Sequence, residues 1–275
     1  MEKEANFFLE LEEWQAREDI KWKQKSRELW LNKGYHNSKF FHASTIIRRR
    51  KNNIAEIKLE NGNHIYEKED IEIYFERHFK ELYSSSNPNF PRDLENLISP
   101  FIEPEENKDL IHIPLLHETK QTVFDMNPLK SLGSDGMPGL FFKKFCSIVG
   151  EQVIKVVSSF FRDKRMLREL NHTYITLISK TQDACKFSQF RPISLCNFCY
   201  KVITRILVAK LRPILSMLID PALVTFVPNR NIVENTLLAQ EVVHTFSQTK
   251  KKQGYLGLKI DFQKAYDRME WSFLA

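Results

Sequence analysis

The segment GYLGLKIDF near the end of this 275-residue chain constrains the fold most, because its apolar side chains alternate with small or charged ones. A period of two predicts a strand with one apolar face, formed by Leu256, Leu258, Ile260 and Phe262. Asp261 then lies at the end of that strand, on the opposite face, just before the helical pattern QKAYDRMEWSFL. A carboxylate at this position can bind Mg²⁺. It can equally cap the helix that follows.

Most of the remaining chain has helical periodicity. Apolar residues recur at helical spacing over residues 4–31, 67–83, 119–132, 140–170, 198–211 and 232–246. Strand patterns are fewer: IAEIKL and HIY around Asn61-Gly62 predict a hairpin, and YITLISK is typical of a buried strand. We therefore expect an α+β fold in three parts. These are a helical N-terminal extension with a small hairpin (1–83), an acidic, loosely structured linker (84–118) and a mixed α/β domain (119–275).

The cysteine count and the hydropathy pattern indicate the cellular compartment. Four cysteines in a chain of this length do not form a disulfide framework, so we expect reduced thiols and an intracellular protein, nuclear or cytoplasmic. No stretch approaches the roughly 18 apolar residues of a membrane span, and the acidic start MEKEANFFLELEEW is unlike a signal peptide. Cys196 and Cys199 form a lone CxxC without the further ligands that a zinc site needs.

Charge is distributed unevenly along the chain. Residues 1–100 carry 17 basic and 18 acidic side chains, whereas residues 120–275 carry 23 basic and 12 acidic ones, a net charge of +11. Such a field favours a polyanionic partner, nucleic acid first. The run Arg48, Arg49, Arg50 follows Phe40 and Phe41, and this mixture can hold phosphates and stack bases. Both features are also compatible with an ordinary basic surface.

Five blocks in order resemble the first half of a reverse transcriptase domain from LINE-type (non-LTR) retrotransposons. The blocks are KSRELWLNKGYHNSKFFHASTIIRRRKNNI, NPLKSLGSDGMPGLFFKKF, FRPISLCNFCYKVITRILVAKLRPIL, TFVPNRNIVENTLLAQEVVH and LKIDFQKAYDRMEW. Together they cover about residues 25–275. The resemblance implies the fingers and first part of the palm of a right-hand polymerase, after a mostly helical extension, with the thumb and the rest of the palm absent.

The resemblance also implies residue roles. Asp261 matches the first catalytic carboxylate and would be a Mg²⁺ ligand. Lys180 and Arg191 match contacts to the triphosphate, and Tyr266 matches the ring beneath the sugar that favours a dNTP over a ribonucleotide. The positions expected near template or other nucleic acid are Gly133, Asp135, Gly136, Phe226, Arg230, Asn235 and Arg48–Arg50. The implied partners are an RNA template, a DNA primer or RNA–DNA hybrid, and dNTP.

Several positions depart from the family pattern. Asn229 stands where glycine is usual, Ser134 and Ser179 where proline is usual, and Tyr35 where an acid is usual. The paired aspartates that complete the two-metal site are not in this sequence, so we expect the chain to be inactive alone. Three interpretations therefore stay open. They are part of an RNA-directed DNA polymerase, a non-catalytic binder of RNA or RNA–DNA hybrid, and an unrelated Mg²⁺-dependent phosphotransfer enzyme that uses Asp261 and Asp267.

Overall fold

The computed structural model describes residues 2–26, 38–89, 102–224, 227–248, 256–258, 260 and 267–274. These residues are mostly helical. The helices are α1 (Glu2–Ser26), α2 (Ser38–Lys51), α3 (Lys68–Tyr83), α4 (Pro104–Ile111), α5 (Leu116–Asp125), α6 (Gly139–Lys144), α7 (Cys146–Asp163), α8 (Arg168–Asn171), α9 (Phe198–Leu211), α10 (Leu215–Leu218), α11 (Ile232–Gln248) and α12 (Trp271–Leu274). The strands are β1 (Ile57–Lys58), β2 (His64–Ile65), β3 (Tyr174–Ser179) and β4 (Phe190–Leu195). Within the described ranges, none of the helices has the length and apolar character needed to cross a bilayer.

The chain divides into two compact units that alternate along the sequence. The first comprises residues 1–78, 129–134 and 173–195, and the second comprises residues 79–128, 135–172 and 196–275. Each unit has its own set of packed elements. The three-part division expected from the sequence stays a prediction.

The first unit contains the predicted hairpin. Strands β1 and β2 pair antiparallel around a turn in which Gly62 has φ +88°, a conformation that glycine adopts without strain. The β1 backbone is also tied to the β3–β4 connection, because the Lys58 N–H donates to the Cys185 carbonyl at 2.7 Å. Helix α3 presents a buried stripe to this unit, formed by Ile71, Tyr74 and Phe75.

The two N-terminal helices also belong to the first unit. Helices α1 and α2 pack together, with the Trp22 and His42 rings stacked at 3.5 Å between centroids. Phe41 beside His42 is buried. The sequence-predicted helix over 4–31 is thus confirmed as far as Ser26, and residues 27–31 lie outside the described residues.

The core of the second unit forms around α9. Its buried side chains follow the spacing i, i+4, i+5, i+8 that places them on one helix face: Phe198, Val202, Ile203 and Ile206. This face packs against side chains of α5, α6 and α7, namely Val123, Phe142, Val153 and Val157. Val157 and Val202 are completely buried, and burial of each side chain stabilises the fold by about 1.5–3 kcal/mol.

The predicted helix over 140–170 is broken in the structure. It consists of α6, α7 and α8, separated at Phe145 and at Lys164, which has a left-handed φ of +55°. The Phe142 ring stacks on Phe198 at 4.2 Å, so α6 is oriented by a contact with a helix more than 50 residues away. Periodicity within the segment does not contain that information.

The expectation of a loosely structured linker over 84–118 is wrong for residues 104–111, which form α4. Pro104 stands in the first turn, where its missing N–H costs nothing, and the Glu106 carboxylate accepts the Glu103 N–H at 3.0 Å. The next helix, α5, begins at Leu116 and ends at Asp125, earlier than the 119–132 that was predicted.

Two strand predictions also need correction. YITLIS forms β3, but among the described residues this strand pairs with β4 alone, and it is half-exposed, so it is not a buried strand. Residues 256–258 and 260 form no strand and are exposed, Leu256 by 89%. A strand needs a partner backbone, and none of the strands in the described part of the chain pairs with these residues.

Candidate nucleotide and nucleic-acid interface

The β3–β4 hairpin brings Lys180 and Arg191 to one face. In the antiparallel register, Arg191 lies opposite Ile178, and opposed residues point to the same side. Lys180 follows Ile178 by two positions, and its N–H donates to the Gln189 carbonyl at 2.8 Å, which extends the ladder by one pair. Lys180 and Arg191 are therefore diagonal neighbours, a relation that separates residues by about 7–8 Å.

The opposite face of the hairpin is anchored to α3. Phe190 is buried, and its ring meets Phe75 edge to face at 5.4 Å between centroids. Phe187 packs on the same ring at 5.7 Å and on His78 at 5.0 Å. Because one face is fixed by these aromatic contacts, the face with Lys180 and Arg191 is turned to solvent, where both residues are exposed.

The Lys180 ammonium makes one hydrogen bond to the protein and keeps further donors for a ligand. Its Nζ donates to the Ser188 carbonyl at 2.7 Å. An ammonium has three donors, so two stay available for phosphate oxygens. Arg191 adds a planar guanidinium that can bind a second pair of oxygens.

Asp135, expected near template, joins the glycine loop to α9. One carboxylate oxygen accepts the Phe198 N–H at 3.1 Å and the other accepts the Met137 N–H at 3.2 Å. Its own N–H donates to Asn197 Oδ1 at 2.9 Å. Asp135 is thus a cap for α9 supplied from a distant loop, and both its oxygens are engaged in positioning the backbone.

Asn197, which the sequence motifs did not indicate as a site residue, completes the hydrogen bonds between the Asp135 loop and α9. Asn197 is 3% exposed, and its Nδ2 donates to the carbonyls of Glu169 at 3.0 Å and Leu170 at 3.2 Å. An asparagine directly before a helix is an N-cap signal, so its position could have been recognised. Its hydrogen bonds to the distant Glu169 and Leu170 carbonyls could not be recognised from the sequence.

The glycines of the loop have different surroundings. Gly133 is buried, whereas Gly136 is exposed with φ +66°, a conformation that other residues adopt only with strain. Gly139, at the start of α6, would place a Cβ 3.1 Å from the Phe198 ring and 3.3 Å from the Asn127 carbonyl. The start of α6 can therefore lie close to α9 because Gly139 has no side chain.

Arg230 and Asn235, also expected near template or nucleotide, bind backbone carbonyls. Arg230 donates to the carbonyls of Asp220 at 2.5 Å, Leu223 at 2.6 Å, Ile219 at 3.0 Å and Ser216 at 3.2 Å. Asn235 donates to Ala222 at 2.7 Å. Asn229 has φ +64°, which explains why glycine suits this position and why asparagine is tolerated. These contacts tie the side chains of Arg230 and Asn235 to the backbone of residues 216–223.

The basic run lies at the end of α2. Arg48, Arg49 and Arg50 occupy the last turn, where cations interact favourably with the helix dipole. Arg49 and Arg50 are exposed, and Arg48 is half-buried. The arrangement is compatible with contact to a phosphate backbone.

Three predicted site residues, Asp261, Tyr266 and Phe226, lie outside the described residues. Asp267 is half-buried, and its charge acts on Tyr83: burial first, and then this carboxylate, raise the pKa of the tyrosine. Within the described part of the chain, no three His, Cys, Asp or Glu side chains lie close enough together to hold a metal ion.

The CxxC cysteines are half-buried. Burial, with a further contribution from the Asp135 carboxylate, raises the pKa of the Cys199 thiol to about 11. The thiol is thus protonated at neutral pH, the form that neither attacks a substrate nor binds metal well.

Comparison with known proteins gives two findings. Residues 178–275 match the family model for reverse transcriptase (RNA-dependent DNA polymerase), a range that begins in β3 and includes Lys180, Arg191 and Asp261. The chain is also similar to the transposon TX1 uncharacterized 149 kDa protein of Xenopus laevis, with 26% identity over 239 residues. This alignment covers 86% of the chain and 18% of that protein, so the chain spans less than a fifth of its relative. Residues 178–275 therefore carry reverse transcriptase domain sequence, and the chain is a distant homologue of a transposon protein.

Proposed function

We propose that this chain forms part of an RNA-directed DNA polymerase of the LINE type, and that Lys180 and Arg191 bind the triphosphate of the incoming dNTP. We call these two residues the basic face. The observation that carries the proposal is the β3–β4 register, which supports placing both side chains on one exposed face. The family match over residues 178–275 supports the reaction class.

Electrostatics favours a polyphosphate at this face. Two cations at diagonal positions suit a ligand with several charged oxygens within a few ångströms. The anchoring of Phe190 on Phe75 limits motion of the hairpin, so little ordering is needed when the ligand binds. A single phosphate would engage only one of the two cations well.

Template and primer would lie along other parts of the chain. The net charge of +11 in residues 120–275 supports contact with phosphate backbones. Asp135, Arg230 and Asn235 would act by holding their loops in shape, since their polar groups bind backbone. Arg49 and Arg50, exposed at the end of α2, are the candidates for direct phosphate contact in the N-terminal helices.

Magnesium ions would supply the electrostatic stabilisation of nucleotidyl transfer. Asp261 is the residue that we propose as a ligand, because it lies in the range that matches the reverse transcriptase model and a carboxylate oxygen suits this hard cation. Asp267 is a weaker candidate, since the resemblance to reverse transcriptases assigns it no metal-binding role.

Binding of dTTP tests the basic face. We expect Lys180→Ala and Arg191→Ala each to weaken dTTP affinity by about tenfold in the presence of Mg²⁺, because each removes charge-assisted hydrogen bonds. Equilibrium dialysis with labelled dTTP measures this loss. Lys68→Ala is the matched control, since Lys68 is an exposed lysine of α3 that pairs with Glu72 at 3.6 Å. Equal affinity of the wild-type chain and both basic-face variants would contradict the proposal.

Primer extension separates catalysis from binding alone. We expect the chain alone to be inactive; if it nevertheless incorporates dTTP on a poly(rA) template with an oligo(dT) primer and Mg²⁺, Asp261→Asn should abolish that incorporation. Asp267→Asn should retain most of it. Hybrid binding without any incorporation would instead favour the non-catalytic alternative. Equal loss of activity in Asp261→Asn and Asp267→Asn would favour the unrelated phosphotransfer enzyme, which uses both carboxylates.

A further inference from the structure

A glutamate that follows Asp261 closely in sequence is bound to a distant serine loop. Glu270 accepts hydrogen bonds from Ser85 Oγ at 2.7 Å, from Ser86 Oγ at 2.7 Å and from the Ser86 N–H at 3.1 Å. Both partners belong to the second unit. Glu270 lies nine residues after Asp261, whereas the two serines follow α3 directly.

The serine loop is shaped to present both hydroxyls. The Asn87 N–H donates to Ser85 Oγ at 3.0 Å, and Asn87 has φ +48°, which turns the chain sharply. The three donors converge on one carboxylate, and their hydrogen bonds, that of the Ser86 hydroxyl first, lower the pKa of Glu270. Its carboxylate is thus an acceptor at neutral pH.

Glu270 is placed where its side chain could instead cap α12, the helix that follows it. It directly precedes α12, the position from which an acid commonly caps a helix. Its backbone carbonyl accepts the Phe273 N–H at 3.1 Å, but its side chain binds the serine loop. The carboxylate is therefore used for a long-range contact.

Further contacts surround these hydrogen bonds. A cavity of about 220 Å³ is lined on one side by Leu82 and Tyr83 and on the other by Asp267, Met269 and Trp271. Tyr83 stacks on Phe79 at 5.9 Å, which fixes its ring on α3. The end of α3 and residues 267–271 thus face each other over several side chains.

We propose that Ser85, Ser86 and Glu270 form a clamp that holds the segment after Asp261 to the end of α3. In the clamp, Glu270 is a positioning residue: it fixes residues 267–274, the described segment that follows Asp261 in the sequence. The role of the clamp in positioning part of the nucleotide site rests on the proposed function. The clamp itself rests on the three hydrogen bonds.

Hydrogen exchange of the full chain without nucleic acid tests the clamp. Glu270→Ala is expected to raise amide exchange in both 82–89 and 267–274 by about tenfold, because charge-assisted bonds on each side are lost together. Ser85→Ala/Ser86→Ala should raise both by a smaller factor, because the Ser86 N–H can still donate to Glu270. The combined triple variant should exchange no faster than Glu270→Ala, since that change already removes all three hydrogen bonds. Glu241→Ala, an exposed acid of α11, is the matched control and should change neither segment.

The same variants show whether the clamp positions the nucleotide site. Glu270→Ala should weaken dTTP binding by roughly tenfold or more while hybrid affinity changes less than about twofold. Glu270→Gln, which retains an acceptor oxygen, should restore part of the dTTP affinity. A change in exchange confined to one segment, or additive effects in the triple variant, overturns the clamp. Unchanged dTTP affinity in Glu270→Ala overturns the positioning role.

Failure of the proposed function is recognisable separately. Lys180→Ala and Arg191→Ala should leave exchange in 82–89 and 267–274 unchanged. A wild-type chain that binds no dTTP refutes the nucleotide site, and with it the positioning role, whereas the exchange data still support or overturn the clamp.

Discussion

Asp135 shows how a single side chain can connect segments that the sequence keeps far apart. Its carboxylate accepts N–H groups from its own loop and from the first turn of α9. Asn197 extends the connection to the backbone at the end of α8. The resemblance to reverse transcriptases predicts template contact for Asp135. The structure adds a second role, since Asp135 caps α9 and fixes its own loop.

The capping of α9 by Asp135 predicts an effect on stability. Asp135→Ala should lower the free energy of unfolding by about 1–2 kcal/mol, because α9 loses its cap and buried Asn197 loses a fixed partner. Asp135→Asn, which retains an acceptor, should cost less. Urea denaturation measures both. Asp125→Ala, at the exposed end of α5, is the control, and an equal loss there would contradict the assignment.

Arg230 and Asn229 give a second case at this scale. Arg230 donates to four backbone carbonyls, an arrangement that ties its side chain to residues 216–223. Asn229 takes the left-handed backbone that the turn needs. The departure from glycine at this position, noted in the sequence, therefore has little conformational cost, since asparagine adopts this region more readily than most residues.

Among the elements, the β3–β4 hairpin depends on α3 for its orientation. A two-stranded sheet is marginal alone, so the packing of Phe190 and Phe187 on α3 supplies much of its stability. The basic face is thereby determined indirectly by apolar residues on the other side of the hairpin.

Replacing Phe190 should therefore affect binding as well as stability. Phe190→Ala should lower the free energy of unfolding by about 3 kcal/mol. It should also weaken dTTP binding although Phe190 lies on the face away from Lys180, whereas Phe190→Leu should have a smaller effect on both. Ile193→Ala, on the exposed face of β4, should change stability little. Denaturant titration and dialysis with labelled dTTP distinguish the cases; full dTTP affinity in a folded Phe190→Ala chain would refute the coupling.

Element-level predictions succeeded where the information is local. The Asn61-Gly62 hairpin and helix α9 are confirmed, because turn chemistry and one apolar face are encoded within the segment. The 140–170 prediction missed its breaks, which depend on the contact of Phe142 with Phe198. The predicted roles of Asp261, Tyr266 and Phe226 stay predictions, since these residues lie outside the described part of the chain.

For the whole molecule, charge is the property that most directly predicts behaviour. The chain carries a formal net charge of +6, and residues 120–275 carry +11, so binding to RNA–DNA hybrid should release counterions. The logarithm of the affinity should fall linearly with the logarithm of salt concentration. Arg49→Ala should reduce the slope by about 1, because its exposed guanidinium is proposed to contact a phosphate. Fluorescence anisotropy over a salt series measures the slope, Lys68→Ala should leave it unchanged, and a flat response would contradict nucleic-acid binding.

The amino-acid sequence by itself determined the basic charge of the C-terminal half, the amphipathic helices and the resemblance to reverse transcriptases. These properties depend on composition, on period and on the order of short blocks. Only the tertiary structure decided that Lys180 and Arg191 share a face, that Asp135 caps a distant helix, and that Glu270 binds a serine loop. The physical reason is that strand register and long-range hydrogen bonds arise between segments, and no single segment contains both partners.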